Sequence, residues 1–135
     1  MADTFQLDIV TPEGLVFSEP VEHLRAPGVE GSFGVLVGHT PFMTSLAIGQ
    51  VRLTQNGKER ALATSGGFIE VTPNRTVILA QTAEFAEDID LERAKEAQDR
   101  AQERLRAKRP DTDVDRAHAA LMRAVNRIRV AGFST

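Results

Sequence analysis

Turn signals recur about every ten residues through the first 86 residues of this chain, and no helix-length periodic segment interrupts them. Thr11-Pro-Glu-Gly14 follows residues 5–9, in which apolar and polar side chains alternate as in a half-buried strand. The Asn56-Gly57 pair and the segment Thr72-Pro-Asn-Arg75 lie between apolar runs and indicate tight hairpins. Short strands joined in this way are typical of a β-sandwich or a β-barrel.

Residues 87–135 have a different pattern, which predicts two helices joined by a short loop. Asp90 is the predicted N-cap of the first helix. Pro110 interrupts the helical pattern, because proline disfavours helical geometry in the residue before it. Asp111 or Asp113 can then cap the second helix. The chain is therefore predicted to consist of a β domain, residues 1–86, and a helical hairpin, residues 87–135.

The predicted inner face of the first helix is thin and rich in alanine, and Gln98 breaks it. The second helix has a longer apolar stripe. The two stripes are Leu91, Ala94, Ala101 and Leu105 in the first helix, and Val114, Ala117, Leu121, Val125 and Ile128 in the second. Small side chains bury little apolar surface, at ~25 cal/mol per Å². We therefore expect a hairpin that docks weakly.

Composition excludes several classes of function. A net charge of −3 without a basic face carrying aromatic residues argues against nucleic acid as a partner. No apolar run approaches the roughly 20 residues of a membrane helix, so direct membrane insertion is not predicted. The histidines, His23, His39 and His118, lack ligand-like spacing, so no metal site is expected. Neither a catalytic serine motif nor a phosphate loop is present.

Four runs of sequence, in a fixed order, identify a family. They are residues 31–53 (GSFGVLVGHTPFMTSLAIGQVRL), 65–80 (SGGFIEVTPNRTVILA), 87–96 (EDIDLERAKE) and 121–128 (LMRAVNRI). Together they resemble the epsilon subunit of the bacterial F-type ATP synthase over nearly the whole chain. The resemblance implies an antiparallel β-sandwich of about ten strands followed by a two-helix hairpin. It also implies a non-catalytic subunit of the central stalk, which needs no cofactor.

The same resemblance implies where the sandwich meets its partners, the gamma subunit and the membrane ring of the synthase. Residues Glu30, Gly31 and His39 are expected at this interface. They lie in residues 28–41, whose four glycines fit either a tight chain reversal or an exposed contact loop. Within it, the apolar residues 35–37 fit either the gamma contact or ordinary core. The expected location is peripheral, on the cytoplasmic face of the bacterial inner membrane.

For the hairpin, the resemblance implies regulation. When extended, it would reach the alpha and beta subunits and impede ATP hydrolysis. Residues 114–130 carry four arginines and one aspartate, a net charge of +3, which would suit an acidic surface.

The segment Ile89-Asp90-Leu-Glu-Arg93-Ala94 resembles the nucleotide-binding motif of some family members. Its matching partners are Glu84 before it, Arg100 in the first helix, and the pair four residues apart in the second, Arg123 and Arg127. Arginines that converge between folded helices can neutralise phosphates through charge-assisted hydrogen bonds. ATP is thus a candidate regulatory ligand. The alternative is a solvated, salt-bridged helix pair in which Asp90 is only a cap.

Two other functions remain open at this point. A small metal-dependent barrel enzyme of cupin type would need clustered ligands, which three scattered histidines do not provide. A stand-alone nucleotide-sensing module would use the same hairpin residues but would not assemble with gamma.

Overall fold

The computed structural model describes residues 3–133, which form eight strands and two helices. The strands are β1 (Phe5–Thr11), β2 (Gly14–Val21), β3 (His23–Gly28), β4 (Gly31–Val35), β5 (Phe42–Gln55), β6 (Lys58–Val71), β7 (Arg75–Ala80) and β8 (Ala83–Phe85). A 3-10 turn, Ala86–Asp88, leads to the helices α1 (Leu91–Ala107) and α2 (Val114–Ala131).

The hairpins predicted from turn residues are present. Asn56 and Gly57 join β5 to β6 with φ values of 51° and 77°. A two-residue type I′ hairpin turn requires positive φ at both of these positions. Thr72 closes the β6–β7 turn, since its hydroxyl donates to the Arg75 carbonyl oxygen at 2.7 Å.

The strands form a sandwich around one apolar core. The sheet order is β2-β1-β7-β6-β5-β3-β4, and β8 pairs with β6. All pairings are antiparallel except that of β1 with β7, which is parallel. The largest fully buried side chains in this core are Leu7, Ile9, Leu24, Leu53, Leu62, Ile69 and Ile78.

There are eight strands rather than about ten because β5 and β6 each continue for 14 residues through a bend. Residues 62–64 of β6 pair with β8, whereas residues 67–71 pair with β7. The bend falls at Gly66 and Gly67, which have φ values of 104° and 145°. A Cβ at Gly67 would lie 2.1 Å from the Leu79 carbonyl oxygen, so the strand requires glycine here.

Residues 28–41 are only partly a loop. Residues 31–35 form β4, which pairs with β3 across a two-residue turn. Val35 belongs to the core, whereas Leu36 and Val37 are exposed. The chain reversal and the exposed loop therefore both exist, in succession.

The helices begin as predicted. Asp90 and Asp113 are the N-caps, and each side chain accepts a hydrogen bond from the backbone three residues later. Helix α2 makes the main helical contact with β5 and β6. Its predicted stripe is partly wrong: Val114 is exposed, whereas Ala124, Asn126 and Val130 are buried. The stripe shifts because α2 contacts both α1 and the sandwich.

Within residues 3–133, neither helix is long and apolar enough to cross a membrane.

Candidate functional site

A cavity of about 830 Å³ lies between the hairpin and the sandwich. Its walls come from the β1–β2 turn, from β6, from residues 81–84 and from both helices. Pockets for small molecules typically measure about 300–1,000 Å³. Because sandwich and hairpin both contribute walls, the cavity exists only while the hairpin is docked.

Four of the predicted nucleotide-binding residues line this cavity: Glu84, Arg93, Arg123 and Arg127. Glu84 and Arg127 form an ion pair across the boundary between β8 and α2. Arg127 Nη2 donates to Glu84 Oε2 at 3.2 Å, and Nε lies 2.8 Å from Oε1 without the alignment of a hydrogen bond. This pair holds the C-terminal half of α2 against the sandwich.

The other two arginines of the cavity, Arg93 and Arg123, have no carboxylate within 4.0 Å among residues 3–133. The facing wall is polar: Thr82 Oγ1 donates to Ser65 Oγ at 2.7 Å. Two unpaired guanidinium groups beside hydroxyl groups provide a setting that suits an anionic ligand such as a phosphate.

The remaining motif residues lie outside the cavity wall. The Asp90 carboxylate accepts the Arg93 N–H at 3.1 Å and so caps α1. Ala94 is fully buried in the hairpin, and Ile89 packs near Val130. Arg100 is exposed, further along α1. The structure thus brings together half of the predicted set.

The predicted interface residues lie at one end of the sandwich. Glu30 and Gly31 form the exposed tip of the β3–β4 hairpin. His39 lies in the following loop, where its Nδ1 is 2.6 Å from the Thr40 carbonyl oxygen. The ring of Phe42 connects the two segments, at 6.4 Å from the His39 ring and 5.1 Å from the Phe33 ring.

Sequence reasoning missed a second surface, the outward side of β2, β7, β6 and β5. Four large apolar side chains are exposed there: Leu15 (65%), Met43 (56%), Leu79 (53%) and Phe68 (37%). Leu79 pairs in register with Phe68 on one side and with Val10 on the other, and Val10 pairs with Leu15. We call these four exposed residues the apolar sheet face. Contiguous exposed apolar surface marks interaction sites.

A polar cluster continues the apolar sheet face on β1, β2 and β7. Its centre is the buried carboxylate of Asp8, which pairs with Arg75 and accepts a hydrogen bond from Gln6. Ser18 donates to Asp8 Oδ1 at 2.7 Å. The Ser18 bond most strongly holds the pKa of the Asp8 carboxyl below its ordinary value, with Gln6 and Arg75 adding to it and burial opposing it.

Among the described residues, no group of three or more His, Asp or Glu side chains is placed to hold a metal ion.

Comparison with known proteins decides the family. Residues 4–86 match the model of the ATP synthase delta/epsilon chain β-sandwich domain, and residues 87–132 match that of its long α-helix domain. The chain belongs to the ATP synthase delta/epsilon family. It is accordingly a non-catalytic subunit of ATP synthase, as predicted, and the cupin-type enzyme is excluded.

Epsilon chains from several bacteria are similar over almost their full length. That of Desulforamulus reducens is 51% identical, over 97% of this chain and 99% of its own. That of Nitratidesulfovibrio vulgaris is 50% identical, over 98% of both chains. That of Bacillus velezensis is 48% identical, over 96% of this chain and 98% of its own.

Two solved structures have a similar fold. A chain of the Euglena gracilis mitochondrial ATP synthase, solved as OSCP, F1 and c-ring, matches with a TM-score of 0.76 and 28% identity, over 88% of this chain and 76% of its own. A chain of the Tetrahymena thermophila mitochondrial ATP synthase central stalk and c-ring matches with a TM-score of 0.58 and 14% identity, over 96% and 95%. The second shows the fold alone.

One sequence signal could have revealed the apolar sheet face of this epsilon-family chain. Residues 76–79 and 68–71 are apolar at inward and outward positions alike, apart from Thr76 and Glu70. A strand with one solvated face would alternate instead.

Proposed function

We propose that this chain is a rotor subunit in the central stalk of a bacterial F-type ATP synthase, where it couples rotation of the membrane ring to ATP synthesis. The observation that carries the proposal is the match of both family domains in order, together with about 50% identity to epsilon chains over nearly the whole length. This role requires two attachments, one to the gamma subunit and one to the ring.

The apolar sheet face is the proposed contact with gamma. Protein interfaces have apolar centres with polar surroundings. Leu15, Leu79 and Phe68 lie in one row that crosses four strands, with Val10 of β1 between Leu15 and Leu79 and the Asp8 cluster beside it. The backbone of these residues is held by paired strands, so their arrangement on the face is set before binding.

Glu30, Gly31 and His39 form the proposed contact with the polar surface of the ring. Gly31 has a φ of 137°, and a Cβ added to it would have no neighbouring atom within 4 Å, so its backbone is open to a partner. The expected location follows from this role: the chain is peripheral to the bacterial inner membrane, on its cytoplasmic face.

Leu79→Asp tests the gamma contact. It should abolish co-purification of the chain with gamma, because it buries a charge in the apolar contact, while the melting temperature of the isolated chain changes little. Arg25→Asp, on the exposed side of β3 and outside the face, is the matched control. A Leu79→Asp chain that still co-purifies with gamma would reject this face. A wild-type chain that migrates alone would favour a stand-alone nucleotide-sensing module.

We further propose ATP as a regulatory ligand of the cavity. Arg93 and Arg123 are available for phosphates, and Glu84 and Arg127 lie beside them. Since the cavity requires the docked hairpin, a bound ligand would stabilise that state by its binding free energy. When released, the hairpin with its basic α2 would extend to the alpha and beta subunits and impede hydrolysis.

A further inference from the structure

Asn126 is a buried polar residue on the side of α2 that faces the sandwich. Its Nδ2 lies 2.9 Å from the Gly49 carbonyl oxygen on β5 and 3.4 Å from the Thr64 carbonyl oxygen on β6, and donates to both. Among residues 3–133, these are the only side-chain hydrogen bonds from either helix to the backbone of a strand. One amide group thus spans two neighbouring strands.

The two acceptors, the Gly49 and Thr64 carbonyl oxygens, belong to closely packed backbone of the sandwich. A Cβ at Gly49 would lie 2.8 Å from Pro27 Cβ, so this backbone is closely packed. Pro27 has no N–H to donate to it. Thr64 is buried, and its hydroxyl also donates to the Gly49 carbonyl oxygen, at 3.2 Å.

The fully buried apolar part of the docking contact is small. One turn beyond Asn126, Val130 is fully buried against Ala61 and Ala63 of β6, and Ala86, Ile89 and Phe133 are partly buried against this cluster. Alanine side chains provide little apolar area, and flat apolar contacts do not fix a helix at one position along its axis. Buried hydrogen bonds have direction and strict length, so they do.

We infer that Asn126 is a positioning residue that holds α2 in the docked state and sets where it docks on β5 and β6. Release of the hairpin must break both bonds. Loss of the amide while the hairpin stays docked leaves two carbonyl groups without this donor in a largely buried contact, which disfavours docking. Only the effect of Asn126 on ATP hydrolysis rests on the proposed regulation, because docking itself can be measured in the isolated chain.

The test measures docking in the full-length isolated chain. The sequence has no cysteine, so Lys58→Cys and Arg104→Cys place two spin labels at exposed positions at the start of β6 and on α1. In this background, pulsed electron paramagnetic resonance should give one narrow distance distribution for the docked state. Asn126→Leu, similar in shape but without a donor, should lower the docked-to-undocked ratio about tenfold or more. Asn126→Ser, which keeps one donor, should lower it less.

His118→Leu, an exposed polar-to-apolar change on the same helix, is the matched control and should leave the ratio unchanged. The inference is overturned if Asn126→Leu keeps the wild-type distance distribution, if His118→Leu shifts it equally, or if the wild-type chain has no docked population. Thermal melting of the sandwich separates undocking from global unfolding. If Asn126→Leu undocks the hairpin but ATP hydrolysis by the assembled synthase stays unchanged, the proposed regulation fails and the positioning role stands.

Discussion

At the scale of single residues, the arginines of the cavity have different roles. Arg127 is bound to Glu84 and joins α2 to β8. Arg93 and Arg123 line the same cavity without a carboxylate partner within 4.0 Å among residues 3–133. An ion pair that connects two elements supports docking, whereas an unpaired guanidinium is free to meet a ligand.

Arg123→Ala should weaken ATP binding by about tenfold to a hundredfold, because a hydrogen bond to a charged group contributes roughly 1.5–3 kcal/mol. Isothermal titration calorimetry on the isolated chain measures the change. Arg116→Ala, an exposed arginine near the start of α2, should bind ATP like the wild type. An absence of heat at millimolar ATP for the wild-type chain would remove the site.

Asp8 should make stability depend on acid pH. Its folded pKa is lowered from an ordinary value of 3.8, so its stabilising contribution is complete above that value and is lost as the pH falls through the folded pKa. Asp8→Asn should cost about 2 kcal/mol at pH 7 and make the free energy of unfolding depend less on pH below about 4.

Urea unfolding at neutral and acid pH measures both effects. Asp111→Asn, in the exposed loop between the helices, removes a carboxylate that makes none of these bonds. The account of Asp8 is wrong if both variants lose the same part of the pH dependence.

At the scale of elements, the sandwich and the hairpin are stabilised by separate clusters. Every member of the main core cluster lies between Phe5 and Phe85. The hairpin joins the sandwich through a second, smaller cluster of Ala61, Ala63 and Val130, and through Asn126 and Arg127. Ala94, Ala101, Ala117 and Ala124 are buried in the helices. This separation suits a hairpin that can leave its docked position.

Truncation after residue 86 should leave a cooperative thermal transition and binding to gamma. All residues of the main core remain, and the losses are the docking contact of α2, the packing of Ile89 and the exposed Arg60–Glu87 ion pair. A loss of about 1 kcal/mol would lower the melting temperature by about 4–8 °C in a domain of this size. Scanning calorimetry beside the full-length chain measures the transition. A broad, non-cooperative melt would show that the hairpin is part of the folding unit.

At the scale of the whole molecule, the fold separates attachment from regulation. The apolar sheet face and the Glu30–His39 end belong to the sandwich, whereas the cavity forms between sandwich and hairpin. A ligand in the cavity therefore acts on the hairpin equilibrium, and Leu15 is the one cavity residue that also belongs to the apolar sheet face. A gap of a few kcal/mol between docked and extended states is enough for such a switch.

Deletion of residues 110–135 should raise ATP hydrolysis by the assembled enzyme severalfold while leaving ATP synthesis largely intact. The deletion removes α2, the basic element proposed to meet the alpha and beta subunits, and keeps the whole sandwich. Hydrolysis and synthesis assays on membranes measure both directions. Exposed ion pairs contribute only ~0–1 kcal/mol each and are screened by salt, so the inhibition by the intact tail should weaken at high ionic strength. Equal hydrolysis with and without the tail, at every ionic strength, would mean that the tail does not inhibit.

The sequence by itself determined the local structure of this chain. Asn56-Gly57 requires the β5–β6 hairpin, and Asp90 and Asp113 begin the helices, because turns and caps depend on bonds between residues close in sequence. Only the tertiary structure decided the parallel pairing of β1 with β7, the contact of Asn126 with Gly49, and the exclusion of Arg100 from the cavity. These depend on how a helix and distant strands meet. Arg93 and Arg100 lie seven residues apart on one face of α1, and this spacing does not tell which of the two reaches the sandwich. Distant packing, not local pattern, selects the residues that form the site.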